Sequence, residues 1–278
     1  MMLYSIFLSC TPQSTVEQIS DLVVPAGTYT IGPYELGSSR KISNRTIRLS
    51  YSFQLESTEL TNAQYIEYTG SLPDQVCQRT QKISALSLQH PVSCISWCDA
   101  VIVANIRSEQ DGLESAYTIP QYFHHGMHET ECNEYAQFVS LNLYASGWRL
   151  PTEAEWDIAA RGWEEEELQT LAWYAQNAQG MVHDVATLGP NQQGVFDLRG
   201  NVSEWIWEEY GILRKKKTTD PTKKEHHTPH GYARMIKGGD MSSSKEALSL
   251  LRRPHASAGL RCDRIGVRMV RTLSRESD

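Results

Sequence analysis

Two stretches constrain this chain more than any other: GVFDLRGNVSEW, from Gly194 to Trp205, and GWRLPTEAEWDIAARG, from Gly147 to Gly162. The first compresses a strand end, a glycine turn and an acidic, aromatic segment into a few residues. The second is a strand feeding a helix with a strong start signal. In it the Thr152 hydroxyl can satisfy an amide one turn on, and Glu155 can reach back to the cap backbone. Short strands broken by glycine, each joined to a brief helix, leave no room for long alternating strand–helix units.

The rest of the chain repeats this style. VVPAGTYTIGPY, between Leu22 and Tyr34, alternates apolar and small residues around glycines, as hairpin strands do. IRLSYSFQL, Ile47 to Leu55, alternates more cleanly and predicts one half-buried strand. Thr61 with Gln64 opens a helix that carries Tyr65, Ile66 and Tyr68 and stops at Gly70. Ser96 with Asp99 opens another, carrying Val101, Ile102 and Ile106 and ending near Gly112. The Thr152 helix presents Trp156, Ile158 and Ala160 and ends at Gly162. Ala116 to Pro120 reads as a short strand, followed by an insertion rich in His and acidic residues. A few helices among many short strands predict an α+β fold with little regular secondary structure.

At 278 residues, with 40% hydrophobic and 21% charged, the chain suits a single large domain with a buried core. We divide it into an N-terminal arm or lipoprotein tether (1–20), one domain (21–273) and a short tail (274–278). The formal net charge of -7 excludes a basic, phosphate-binding face, so no nucleic-acid partner is expected. The one basic run, Arg214 to Lys217 with Lys223 and Lys224, reads as a solvated loop. The apolar start MMLYSIFLSC is far shorter than the ~20 residues needed to span a bilayer. Phe7-Leu8-Ser9-Cys10 nevertheless ends like a bacterial lipobox. A lipid on Cys10 would be the one membrane attachment and would place the chain outside the cytoplasm, on the cell surface. Without it the segment is a frayed arm and the protein cytoplasmic.

The two opening stretches, together with VVPAGTYTIG, SFQLESTELTNAQY, HPVSCISWCDAV, GGD at Gly238 to Asp240 and IGVRMV at Ile265 to Val270, resemble the formylglycine-generating enzyme family, also called the sulfatase-modifying factor family. The resemblance runs over roughly residues 22 to 272. It implies a variant of the C-type-lectin fold. It also implies an oxidase in which two cysteines after the Gly-Gly hold copper(I), a metal that soft thiolates suit. Counted from Gly238-Gly239, those positions are Ser243 and Leu248. A hydroxyl and an alkyl group cannot replace thiolates, so neither copper nor oxidase activity is expected. The expected function is a non-catalytic binding or structural module with a protein or glycan ligand, such as a surface-displayed binder. A formylglycine-generating or related metal-dependent oxidase, and an accessory subunit of an assembly, are the alternatives. The resemblance places the binding face between Asp240 and Arg264, which makes Asp240, Ser242, Ser243, Ser244, His255, Leu260, Cys262 and Asp263 the candidate ligand contacts.

The resemblance also implies structural calcium. In the Gly-Asn-Val-x-Glu-Trp turn the matching positions are Asp197, Gly200, Val202 and Glu204, two carboxylates and two carbonyls on a tight turn, which suits an ion that takes six to eight oxygens. Asn177 and Ala178 match a second calcium site. The competing reading is a rigid turn in which Glu204 pairs with a nearby cation.

Other constellations read as structural. Cys77 and Cys94 flank a short loop and could close a disulfide in an oxidising compartment. No spacing is CxxC, so structural zinc is not expected. His124, His125, His128 and Cys132 make a tempting metal cluster, but Gly126 and the polarity around it suggest a solvated insertion. His226, His227 and His230 have the same reading. Trp156, Trp205 and Trp207 are expected in the core or its walls, and Arg161 and Arg268 as donors to buried carbonyls.

Overall fold

The computed structural model describes residues 19–36, 40–73, 77, 87–162, 168–211, 218–222 and 233–275. Cys10, the basic run and the His226–His230 cluster lie outside the described residues.

The strands are short and gathered into small sheets. β1 (Leu22–Val24), β6 (Tyr51–Leu55), β15 (Val270–Arg275) and β9 (Trp148–Arg149) form one four-stranded sheet in that order. A second takes β13 (His255–Ser257), β12 (Ala233–Lys237), β10 (Ser203–Glu209) and β14 (Ile265–Gly266). A third pairs β2 (Gly27–Ile31) with β5 (Arg45–Leu49) and β11 (Thr218–Thr219). β3 (Tyr34–Leu36) pairs with β4 (Arg40–Ile42), and β7 (Tyr117–Thr118) with β8 (Ser140–Leu141).

Two expectations are corrected here. Leu22 to Tyr34 is not a hairpin: β1 pairs with β6, and β2 with β5, in different sheets. Ile47 to Leu55 is not one strand but two, β5 and β6, broken at Ser50. The break is fixed from outside, because Asp220 accepts from both the amide and the hydroxyl of Ser50.

The helices start where the capping signals place them. α1 (Asn62–Thr69), α2 (Trp97–Gln110) and α4 (Glu153–Ala159) each carry a complete capping box, at Thr61/Gln64, Ser96/Asp99 and Thr152/Glu155. α3 (Glu129–Tyr135) is a fourth, capped by His128 and Glu131, and a short α5 spans Leu168–Leu171. The solvated insertion is therefore partly a helix. Cys132, read with its neighbouring histidines as part of that insertion, is bonded to Cys98 on α2. Cys77 and Cys94 form the second disulfide, and Cys262 is the free cysteine among the described residues.

Beside two small ones, two large apolar clusters dominate the interior of the described residues. One surrounds α2, with Trp97, Trp205 and Trp207. The other lies between β5, β6 and α4, around Phe53, Trp156 and Ile206. So much irregular backbone leaves carbonyls inside the molecule that helix and sheet ladders do not use, and each needs a donor. Buried arginines supply several at once. Arg268 donates to the carbonyls of Glu56 and Phe196, and Arg234 to those of Trp207 and Ala136 while lying 3.9 Å over Trp97. The structural role expected for Arg268 holds. Arg161 sits at a more open rim, where it donates to the Thr30 carbonyl.

Candidate functional site

The turn that precedes β10 is built from backbone conformations that ordinary residues resist. Asp197, Gly200 and Asn201 all have positive φ, at 55°, 85° and 52°. At Gly200 an added Cβ would collide with the Trp173 backbone, so only glycine closes this turn. The turn delivers Glu204 to a fully buried position. Its Oε1 accepts from Arg268 Nε at 3.0 Å and Nη2 at 2.8 Å, and its Oε2 from Trp156 Nε1 at 2.7 Å.

Two more carboxylates share the region. Glu59, also fully buried, accepts from Asn201 Nδ2 and the Val202 amide. Burial and the neighbouring Asp197 push its carboxyl well above the usual range, against the pull of Arg268. Asp197 is pushed up to about 6, chiefly by burial. Its Oδ2 accepts from the Ala186 amide at 2.7 Å, but its buried Oδ1 has no hydrogen-bond partner. Three carboxylates thus face one guanidinium. Sequence reasoning missed Glu59, whose one signal is an acid set between the core residues Leu55 and Leu60. The competing sequence reading, Glu204 held by a cation, describes the observed pairing with Arg268.

Asn177 and Ala178 are engaged within a turn. Asn177 Oδ1 accepts from the Tyr174 amide, and the Ala178 carbonyl accepts from the Met181 amide and faces His183 Nε2. Among the described residues, no group of three or more His, Cys, Asp or Glu could hold a metal ion.

The segment after Gly238-Gly239 folds into a tight polar corner. Asp240 Oδ1 accepts from the amide and hydroxyl of Ser242, and Ser243 Oγ accepts from the Asp240 amide at 3.0 Å. Arg264, which no sequence signal singled out, donates to Ser242 Oγ at 3.0 Å and so ties the far end of the segment to this corner. Leu248 is buried against Leu168, Ala172 and Tyr174. The two positions that would hold copper therefore present a hydrogen-bonded hydroxyl and a packed alkyl chain, and the donor set does not fit copper(I).

The remaining candidates scatter. Ser242 and Ser244 are exposed, Leu260 and Cys262 are half-buried, and Ser244 caps a single helical turn at Lys245–Leu248. His255 is exposed and stacked on Tyr210 at 3.9 Å. Asp263 is buried, at 8% exposed. Trp156, Trp205 and Trp207 lie in the core as expected, at most 2% exposed.

Residues 9–273 match the family described as the sulfatase-modifying factor enzyme 1-like domain. The chain belongs to this family. The chain is 26% identical over 262 residues to the chaperone protein LppX of Paenibacillus barcinonensis, covering 85% of this chain and 84% of that one. It is 25% identical over 266 residues to the formylglycine-generating enzyme of Streptomyces coelicolor, covering 82% and 79%. Among solved structures it is similar to the Treponema denticola variable protein 1, with a TM-score of 0.75 and 24% identity over 91% of this chain and 95% of that one. That likeness establishes the fold, a formylglycine-generating-enzyme-type member of the C-type-lectin class with few helices. For a sulfatase-modifying factor domain, the hydroxyl and the alkyl group at Ser243 and Leu248 are the notable departures.

Proposed function

We propose that this chain is a non-catalytic sulfatase-modifying factor domain that binds another molecule, with a protein as the ligand. The carrying observation is the pair Ser243 and Leu248, which offers no sulfur where the oxidases of the family need it, on a scaffold kept intact around it. The name of the chaperone LppX, to which the chain is similar over most of its length, supports a role in holding a protein. The face is the corner of Asp240, Ser242 and Ser243, with Ser244 next to it in the chain and Arg264 bonded to Ser242. No helix among the described residues is long and apolar enough to cross a membrane. A lipid on Cys10 would supply the tether of a surface-exposed binder.

Two assays test the reading. Purified protein is incubated with copper(I) and a Cys-Thr-Pro-Ser-Arg peptide, and the expected result is no aldehyde. Aldehyde above background would make the chain an oxidase. In a binding screen against peptides, glycans and whole cells, Ser242→Tyr/Ser243→Tyr is expected to abolish the wild-type signal, and unchanged binding would remove this corner from the proposal.

Calcium at the Asp197 turn belongs to the same proposal. The unpartnered Asp197 Oδ1 and the surplus of carboxylates over Arg268 support a cation held by Asp197, Glu204 and the carbonyls of Gly200 and Val202. The ion would neutralise that surplus and staple the turn. Chelation is then expected to lower the melting temperature, with calcium restoring it. A melt indifferent to chelator and to added calcium would remove the ion.

A further inference from the structure

We propose that the outer face of α3, with the loop before it, is a docking surface for a Lys/Arg-rich segment of another protein. The proposal goes beyond the reading above and does not depend on the Asp240–Arg264 face.

From Ser115 to Ser146 the chain carries Glu129, Glu131 and Glu134, all on α3, and neither Lys nor Arg. All three carboxylates belong to exposed residues. Among the described residues, none of the three on α3 makes an ion pair. Glu131 accepts only from the His128 amide, and Glu129 lies 3.4 Å from the Ser257 hydroxyl. Beside them stand aromatic rings that a monomer would be expected to bury. Tyr122 is 52% exposed and Phe138 55%, and the half-buried Tyr135 meets Tyr122 edge-on at 4.7 Å. Helical spacing puts Glu131 over Tyr135 on α3, and Phe138 closes the 3-10 turn, Ala136–Phe138, that follows the helix.

The surface is firmly mounted. Cys132 is bonded to Cys98, Asn133 accepts from the Gly259 amide at 2.8 Å and faces the Ser257 hydroxyl at 2.7 Å, and Ala136 is buried. At Gly259 any Cβ would strike the Glu129 backbone, so glycine lets the helix lie flat against this segment. A rigid face of rings edged with carboxylates is complementary to guanidinium and ammonium groups, which stack on aromatic faces and pair with carboxylates. The same charge repels phosphate, so nucleic acid and anionic membranes do not fit it. Tyr and Phe are also enriched in protein interfaces, whose rims are polar.

The test uses the full chain and a short labelled peptide alternating arginine with glycine, at physiological ionic strength. Tyr122→Ser/Phe138→Ser and Glu131→Gln/Glu134→Gln are each expected to weaken binding by about tenfold or more. The side-chain amide oxygen introduced by Glu131→Gln is able to keep the capping bond, and the other three side chains are exposed, so each variant is expected to melt with the wild type. The control Glu67→Lys shifts the net charge by as much at an exposed position on α1 and is expected to leave affinity unchanged. Equal loss in the control would reduce the effect to general attraction by an acidic chain and overturn the proposal. So would full affinity in the serine variant, or no binding by the wild type. None of these variants alters the Asp240–Arg264 corner, so failure here leaves the function proposed above standing.

Discussion

Glu208 on β10 shows how far one side chain can be governed by its surroundings. It is buried, and its Oε2 accepts from the Glu153 amide at 2.8 Å. Burial, then the nearby Glu153 charge, pushes its carboxyl up to about 8 from an ordinary 4.5. A carboxyl raised on folding contributes stability that is fully present below its unfolded pKa and is lost as pH rises through its folded one. Melting temperature is therefore expected to fall between about pH 4.5 and 8, and Glu208→Gln to flatten that fall. The difference at the alkaline end is on the order of 5 kcal/mol. Parallel melting curves against pH for the two proteins would refute the assignment. Arg268 makes the opposite case, a cation whose loss strands a partner. Arg268→Met leaves Glu204 buried without its guanidinium and is expected to cost about 3–5 kcal/mol in urea unfolding, with Arg268→Met/Glu204→Gln recovering part. Neither dependence was legible in the sequence, because the partners of Arg268 lie 64 residues away at Glu204 and 212 away at Glu56.

At the level of elements, the three capping boxes were readable because the donor, the acceptor and the first helical turn all lie within four residues. α3 was not readable. Its sequence ETECNEY has no apolar stripe and buries only Cys132, so its helicity comes from the His128 cap, the bond to Cys98 and the flat contact at Gly259. Replacing both Cys98 and Cys132 by Ser is expected to cost about 2–4 kcal/mol, since the bridge closes a loop of 34 residues. The change should appear as a lower urea midpoint. A midpoint equal to the wild type's would mean that the bridge contributes nothing. The division of Leu22 to Tyr34 between two sheets was also beyond the sequence, because period-two alternation reports which face is buried and not which strand is the neighbour.

For the molecule as a whole, the closing strand carries more than its length suggests. β15 lies between β6 and β9, and β14 runs parallel to β10 beside the Asp197 turn. The C-terminal residues thus complete both four-stranded sheets, and with Val267, Met269 and Val270 they enter both cores. Truncation after Asp263 is expected to abolish the cooperative thermal transition, and a sharp transition in the truncated chain would show that the sheets stand without it. Such long-range closure ties the Asp240 corner, the buried carboxylates and α3 to one set of sheets.

The sequence alone determined the family, the α+β class, the helix starts, the buried tryptophans and the missing thiolates. Each of these is set by residue identity at a fixed local spacing. Tertiary structure decided what Glu204, Glu59 and Cys132 are joined to, that Asp263 faces inward, and that an acidic insertion becomes a mounted helix. The pairings of Glu204, Glu59 and Cys132 depend on which distant groups meet in a low-dielectric interior, where charge and unmet hydrogen bonds cost most, and no short window of residues contains both partners.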